Sequence, residues 1–238
     1  MLENSLREGQ LVPQSGAGGR IQKLALLVRR FGWRESLLTV LLWGLRQAIG
    51  YRSAIVFRRD LSGTKDLVVC ESFQWGYAEA ADITPALWRK ADIDGTTEQP
   101  PRGTRFFIGA LDGKQCYLSQ VSNDGFTIPG RASVIFTDAA EAYVGNCVTL
   151  DEYRGMGVYP RGLSELGSRL KQEGRRWLYL YVERENLSSI RGVQKAGFRA
   201  IARSSAIRWR GKSKQWWKVF PLESTTELIR RWKIGKSQ

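Results

Sequence analysis

The sequence predicts a mixed α+β (α/β) domain whose central sheet is twisted and mostly antiparallel, flanked by helices and preceded by a helical extension. Two observations carry this. Short alternating apolar runs, punctuated by turn signals, fill the middle of the chain, and helical periodicity brackets them on both sides. A chain of 238 residues also suits one domain with an extension.

Residues 1–19 are polar and Gly-containing and read as a flexible terminus. Over residues 20–50, Ile21, Leu24, Ala25, Leu27 and Val28 recur at helical spacing. Leu37, Leu38, Leu41, Leu42, Leu45 and Ile49 repeat the pattern after a break near Gly32. Two amphipathic helices are expected. Ordinary core packing explains them, and a basic helix lying on a membrane surface is the sharper alternative. Strands are expected at residues 53–59 and 66–73, around Ser62-Gly63. A short helix over residues 84–91 carries Pro85 in its first turn. Residues 104–111 and 115–121 flank Asp112-Gly113, a strong hairpin signal. Residues 133–137 and 142–150 add two strands. A Gly-containing turn at 151–158 leads into a helix over 159–174, with Leu163, Leu166 and Leu170 on one face. A strand (177–182), a helix (187–196) closed by Gly197, and a hairpin (198–209 with 215–220) follow, and 225–232 suits a terminal helix. The expected division is a terminus at 1–19, a helical extension at 20–50, an α/β lobe at 51–130, a core at 131–222 and a C-terminal helix or tail at 223–238.

Composition excludes several chemistries. The chain has no histidine, so no Ser-His-Asp or Cys-His arrangement and no His-containing zinc site exist. Acid-base work falls to carboxylates, Tyr, Lys, Cys, backbone amides or water. Cys70, Cys116 and Cys147 form no C-x-x-C, which favours free thiols and no metal. No secretory leader is expected from the polar start. The most apolar run, residues 37–45, is far shorter than the roughly 20 residues that span a bilayer. The formal net charge is +14, and residues 151–238 hold 20 basic against 8 acidic groups. An anionic ligand should meet that third.

The segment that carries chemistry is a strand, then Arg154-Gly155-Met156-Gly157-Val158-Tyr159, then a helix. The glycines permit unusual φ, so backbone N–H groups converge. The helix adds unpaired N–H groups and its positive dipole end, and Arg154 adds a full charge. Such a turn can cradle a pyrophosphate. Alone it is a weak signal, lacking the Lys-Ser/Thr of a P-loop and the G-x-G-x-x-G of a dinucleotide site. It is followed in order by a strand, Asn186, a helix, Gly197-Phe198 and a hairpin.

That ordered set, from about residue 133 to 220, resembles the GNAT superfamily of N-acetyltransferases. The Gly-Val-Tyr-Pro at 157–160 is similar to a bacterial branch with cell-envelope substrates. The resemblance implies acetyl-CoA or another acyl-CoA as co-substrate. It implies that Arg154 and the amides of Gly155, Met156, Gly157, Val158 and Tyr159 hold the pyrophosphate. The strand at 146–150 would pair with the pantetheine arm, and the backbone amide of Cys147 or Val148 would polarise the thioester carbonyl. Asn186 would bind near the pantetheine or simply cap its helix. In many members a tyrosine seven residues after this Asn protonates the thiolate. Here that position is Val193, leaving Tyr179 or Tyr181 as substitutes. The family's base falls on the strand before the loop, where one common spacing meets Tyr143. Strand alternation puts Glu141, two residues earlier, on the same face within reach of the same cleft, with Glu183 next.

The implied acceptor is an amine on a small molecule, sugar or peptide. Two rivals stand beside this reading. A long-chain acyl or acyl-carrier-protein-dependent transferase at the membrane or envelope would use the extension. A basic nucleic-acid-binding protein would use the interleaved aromatic and basic residues at 207–220, the weaker reading. The expected location is the cytoplasm, with peripheral contact at the inner membrane face as the alternative.

Overall fold

The computed structural model describes residues 28–29, 32–49, 51–63, 72–91, 103–128, 132–136, 138–208, 215–222 and 233–236. Residues 28–29 are helical, and the chain then turns at Gly32 (φ 86°) into helix α1 (Trp33–Ile49), the break expected there. The Ser36 hydroxyl donates to the Gly32 carbonyl at 2.7 Å, tying the first turn down. Strand β1 (Tyr51–Asp60) follows, then β2 (Phe73–Ala78), a 3-10 turn (Ala80–Asp82) and helix α2 (Pro85–Lys90). Strands β3 (Arg105–Leu111) and β4 (Lys114–Ser122) form the hairpin predicted at Asp112-Gly113. Both turn residues lie at positive φ (49° and 76°), as the primed hairpin turn requires.

Next come β5 (Gly125–Ile128), β6 (Ala132–Ile135) and β7 (Glu141–Thr149). A 3-10 turn (Asp151–Tyr153) and the glycine loop lead into helix α3 (Val158–Gln172) and strand β8 (Trp177–Glu183). Helix α4 (Leu187–Lys195), the hairpin β9 (Arg199–Arg208) and β10 (Gln215–Pro221), and β11 (Lys233–Lys236) complete the order.

Eight strands form one sheet in the order β10-β9-β1-β8-β7-β4-β3-β2. Every neighbouring pair is antiparallel except β7 and β8. The sheet is therefore mostly antiparallel, as expected, and it runs through both the 51–130 and 131–222 segments. Helices α3 and α4 cover one face. There Val158, Leu163, Leu166, Leu170, Val193 and Ala196 pack on Phe57, Phe107, Tyr117, Val144, Leu178 and Leu180. The other face carries two separate patches. One lies under the three-stranded sheet β11-β6-β5, where Phe126 and Val134 meet Val56 and Tyr179. The other lies under α2, where Ile83 and Leu87 meet Phe106 and Leu118.

Several elements differ from the sequence reading. Most of the strand expected at residues 66–73 lies outside the described residues, and the strand in that part of the chain is β2. Its signal was Phe73, Trp75 and Tyr77 on one side, broken visually by Gly76. Phe73 stacks on Trp75 and Trp75 on Phe107, while Tyr77 meets Phe107 edge-on. Strands β5 and β11 were not anticipated. Both are four residues long, too short for periodicity to register. Residues 233–236, assigned to a helix or tail, pair with β6. The helix expected at 225–232 and the terminus at 1–19 lie outside the described residues.

The C-terminal end of α3 is fastened to β2 and β3 by one cluster. Arg105 donates to both Glu173 carboxylate oxygens (3.0 and 2.7 Å), and Tyr77 donates to Oε1 at 2.8 Å. Partial burial works against the carboxylate, but Arg105 and Tyr77 outweigh it and hold the Glu173 carboxyl below its ordinary range. A depressed carboxylate stabilises the fold above its unfolded pKa, and that contribution is lost as pH falls through the folded value. Solvent screening limits the cluster to about 1 kcal/mol. Glu173→Gln is expected to lower unfolding free energy by about that amount at pH 7. In denaturant titrations the gap from the parent protein should close towards pH 3.

Candidate active site

Strands β7 and β8 are registered at three positions only: Glu141↔Trp177, Ala142↔Leu178 and Tyr143↔Tyr179. Beyond them, residues 144–149 and 180–183 run on without pairing to each other. Each keeps its outer partner, β4 for β7 and β1 for β8. The two strands therefore open into a wedge at their carboxyl ends. Its walls are strand edges whose N–H and C=O groups lack a ladder, which is a ready bed for an extended amide-bearing ligand.

A β-bulge accompanies the opening. Leu118 pairs with Val148 and Gln120 with Gly145, so Asn146 and Cys147 together oppose Ser119. Asn146 sits at φ 45°, a left-handed conformation that Asn tolerates better than most residues. Its Nδ2 donates to Gln120 Oε1 at 2.8 Å. Beyond the bulge the Leu150 N–H donates to the Cys116 carbonyl on β4. Strand alternation then turns the Val148 amide towards β4 and the Cys147 amide towards the wedge. Of the two amides expected to polarise a carbonyl, Cys147 has the required direction. Its thiol is pushed up to about 12 by burial and approaches the Gly145 carbonyl at 3.7 Å, so it is no nucleophile at neutral pH.

The glycine loop closes the wide end of the wedge. Gly155 and Gly157 have φ of 87° and 75°, and Gly157 is the N-cap of α3. A Cβ at either would meet nothing within 4 Å, so glycine is needed for backbone shape, and the space above the loop is open. The first helical bond there runs from the Arg161 N–H to the Gly157 carbonyl. The N–H groups of Val158 and Tyr159 therefore have no intrahelical partner, and Pro160 has none to offer. Arg154 is held at the loop by Asp151 (Nε to Oδ1, 3.0 Å). Lys90, from the end of α2, meets the same oxygen at 2.6 Å. Lys90, chiefly, and Arg154 keep the Asp151 carboxyl below the usual range. No sequence signal linked Lys90 to this loop, because only the packing of α2 against β4 brings it there.

On the sheet face opposite α3 and α4, the wedge is lined by phenols. Tyr143 stacks on Phe126 (4.5 Å between centroids, 7° between planes) and lies 6.2 Å from the Tyr181 ring. Its ring lies over Gly145, whose added Cβ would fall 2.6 Å from it. Burial raises Tyr143 well above the ordinary phenol value. Burial also raises Tyr181, with the charge of Glu183 adding to it. Glu141 is 4% exposed and accepts from the Tyr179 hydroxyl at 2.9 Å, below the point where the strands part. Tyr179 is itself fully buried and raised, by burial first and by Glu141 next, so it is committed to that carboxylate. Glu183 stands farther out on β8, half-buried, 3.7 Å from the Arg52 guanidinium.

Asn186 caps α4. Its Oδ1 accepts from the Ser189 N–H (3.1 Å) and the Ser188 hydroxyl (3.0 Å), and the residue is exposed. On the helix side, Tyr117 and Ser119 of β4 point buried hydroxyls with no hydrogen-bond partner among the described residues. Sequence reading gave neither a role. Among the described residues, no group of His, Cys, Asp and Glu gathers as a metal site, and no helix is long and apolar enough to cross a membrane.

No protein-family model and no curated protein matches the chain. Solved structures do. A GNAT-family protein from Novosphingobium aromaticivorans is 19% identical over 66% of this chain and 63% of its own, with a TM-score of 0.47. A GCN5-related N-acetyltransferase from Kribbella flavida is 13% identical (71% and 62%, TM-score 0.47). Another, from Sphaerobacter thermophilus, is 14% identical (77% and 57%, TM-score 0.46). The chain spans less than two thirds of each of these proteins. The family that the sequence motifs resemble is the family of these structures.

Asn146 provides a backbone test of the bulge. Asn146→Gly and Asn146→Val both lose the bond to Gln120, so their difference isolates the left-handed conformation. The valine variant is expected to be less stable than the glycine variant by about 1–2 kcal/mol in urea denaturation.

Proposed function

We propose that this protein is an acyl-CoA-dependent acyltransferase, most simply an N-acetyltransferase acting on an amine of a small molecule, sugar or peptide. One observation carries the reading. The one parallel strand pair among the described residues of the main sheet opens into a wedge, and a left-handed glycine loop with a helix N-terminus stands at its mouth. The loop amides of residues 155–159, with Arg154 and Lys90, suit a pyrophosphate. The unpaired edge of β7 suits the two amides of a pantetheine arm, and the amide nitrogen of exposed Asn186 suits the same arm from the start of α4. The Cys147 N–H then faces the thioester carbonyl. A fixed donor aimed at developing oxyanion charge is worth about 3 kcal/mol.

The acceptor enters from the opposite face, over Gly145 and Asn146, between the patch under β5–β6–β11 and the patch under α2. The amine nitrogen attacks the thioester carbon, the carbon–sulfur bond breaks, and an amide and the thiol of CoA result. The nitrogen's proton passes to a carboxylate, directly or through water. Glu183 faces the open part of the wedge, whereas Glu141 reaches it only through Tyr179. Acetyl-CoA at about a hundred times its Kd should stabilise the protein by about 2.7 kcal/mol. That corresponds to a Tm rise of roughly 5–10 °C at this size. Gly157→Glu, which puts a carboxylate into the open space over the loop, should abolish the rise while leaving a cooperative transition. A wild-type protein unmoved by acetyl- and longer acyl-CoA would overturn the reading.

A second reading concerns where the enzyme works. Along α1, Trp33, Leu37, Val40 and Leu41 are 63%, 63%, 46% and 57% exposed and share one helical face. Arg34 stacks on Trp33, and the chain carries a net charge of +14. An aromatic and aliphatic face beside arginines suits an anionic lipid surface. Leu42, by contrast, is buried, so its substitution would damage packing instead. Leu37→Asp combined with Leu41→Asp should abolish flotation with anionic vesicles, and neutral vesicles should bind neither protein. Failure of the wild type to float with anionic vesicles would sink the docking proposal.

A further inference from the structure

In the acyl-transfer reading, a donor held at the glycine loop runs down the free edge of β7 into the narrowing wedge. Its thioester is then the deepest part of the arm, and the acyl group leads. What stands ahead of that group decides which acyl chains fit. The Cys147 N–H faces the carbonyl, and Gly145 lies two residues further in. Along an extended strand that separation is about 7 Å, and the bulge at Asn146 shortens it.

At Gly145 the way is shut on both faces of the sheet. On the face opposite α3 and α4, the half-buried Tyr143 ring lies down over the glycine. A single carbon added to Gly145 would fall 2.6 Å from Tyr143 Cε1, 2.7 Å from its hydroxyl oxygen and 2.9 Å from Cζ. Non-bonded carbons pack at about 3.5–4 Å, so the space over Gly145 does not hold even a methyl group. The missing Cβ is what lets the ring lie there. Its neighbours then hold it. Phe126 of β5 stacks on it at 4.5 Å and 7°, and Tyr181 of β8 flanks it at 6.2 Å and 23°. Phe126 is backed in turn by Phe136, 5.9 Å away between centroids. On the helix face, Val144, Leu180 and Val193 are buried in one cluster. Val144 and Leu180 directly follow the last registered pair, Tyr143↔Tyr179, so they fill the wedge from beneath where it starts to open.

We propose that Tyr143, clamped over Gly145 by Phe126, is the acyl-length gauge of this site and restricts the donor to short acyl groups such as acetyl and propionyl. The inference rests on the acyl-transfer reading. A longer chain has two ways to go. Forwards it meets the phenol ring and the buried aliphatic cluster. Sideways, over Asn146, it leaves by the face from which the amine must attack and lies across that approach. The ring's bulk sets the limit, not its hydroxyl, because two ring carbons block the space as closely as the oxygen does.

The test reads binding and needs no acceptor. Calorimetry on the full chain gives the Kd of CoA and of acetyl-, butyryl- and hexanoyl-CoA. Wild type should bind hexanoyl-CoA about tenfold or more weakly than acetyl-CoA, the cost of overpacking a filled site. Tyr143→Ala should remove that gap, with free CoA as the reference for an intact fold and arm site. Tyr143→Phe should keep the gap, since it keeps the ring. Tyr143→Leu, which leaves the core better filled, should narrow the gap if the alanine variant does not fold. Wild type that bound hexanoyl-CoA as tightly as acetyl-CoA would overturn the gauge, as would a CoA-binding alanine or leucine variant with the gap unchanged. Wild type that bound none of the four would overturn the acyl-transfer reading and this inference with it.

Discussion

The separation of β7 from β8 is the constraint on which the rest depends. A parallel pair cannot be closed by a tight turn, so the chain must cross the sheet between them, and α3 is that crossing. The helix therefore begins at the carboxyl end of β7, where unpaired strand edges and unpaired helix amides meet. Ligands of open sheets with parallel strands collect at such ends for the same reason. The bulge at Asn146 adds local twist to β7, and the registered pairing stops at Tyr143, just before it. Loop, wedge and donor amide are thus consequences of one topological step, not independent inventions along the sequence.

Electrostatics within the wedge follow from burial. Tyr143, Tyr159 and Tyr117 are all raised by desolvation, so each phenol keeps its proton at neutral pH. Of the carboxylates near the wedge, Glu141 is tied to Tyr179 and Glu183 faces Arg52.

The sequence showed the glycine loop, the helix after it and the Asn186 cap because each depends on local backbone demands that residue types announce. Gly155 and Gly157 do occupy left-handed positions, and Asn186 does accept from Ser189. Contacts between distant segments left no such trace. Lys90 reaches Asp151 only because α2 packs against β4. Glu141 looked available from alternation alone, which correctly assigned its face but could not reveal Tyr179 closing over it. The bulge was likewise silent: an Asn in a strand marks one only when the facing strand's register is known. The seat of Tyr159 was silent too, since Gly192 is remote in sequence and its missing Cβ acquires meaning only where the Tyr159 ring lies over it.

The basic final third also changes meaning once the contacts are drawn. Charge counted along the chain pointed to an anionic ligand, but many of these residues serve the fold. Arg175 donates to the Ala139 carbonyl, and Arg176 lies over Trp177. Arg169 donates to the Trp75 carbonyl at 2.6 Å, and Arg161 covers Phe73. These guanidiniums fasten α3 and its exit to β2 and to the start of β7 and β8, the end where the strands are still paired. Arg154 is different, because its partner Asp151 is shared with Lys90 beside the loop. An anion that displaced Asp151 from either cation would meet the unpaired helix amides at the same point.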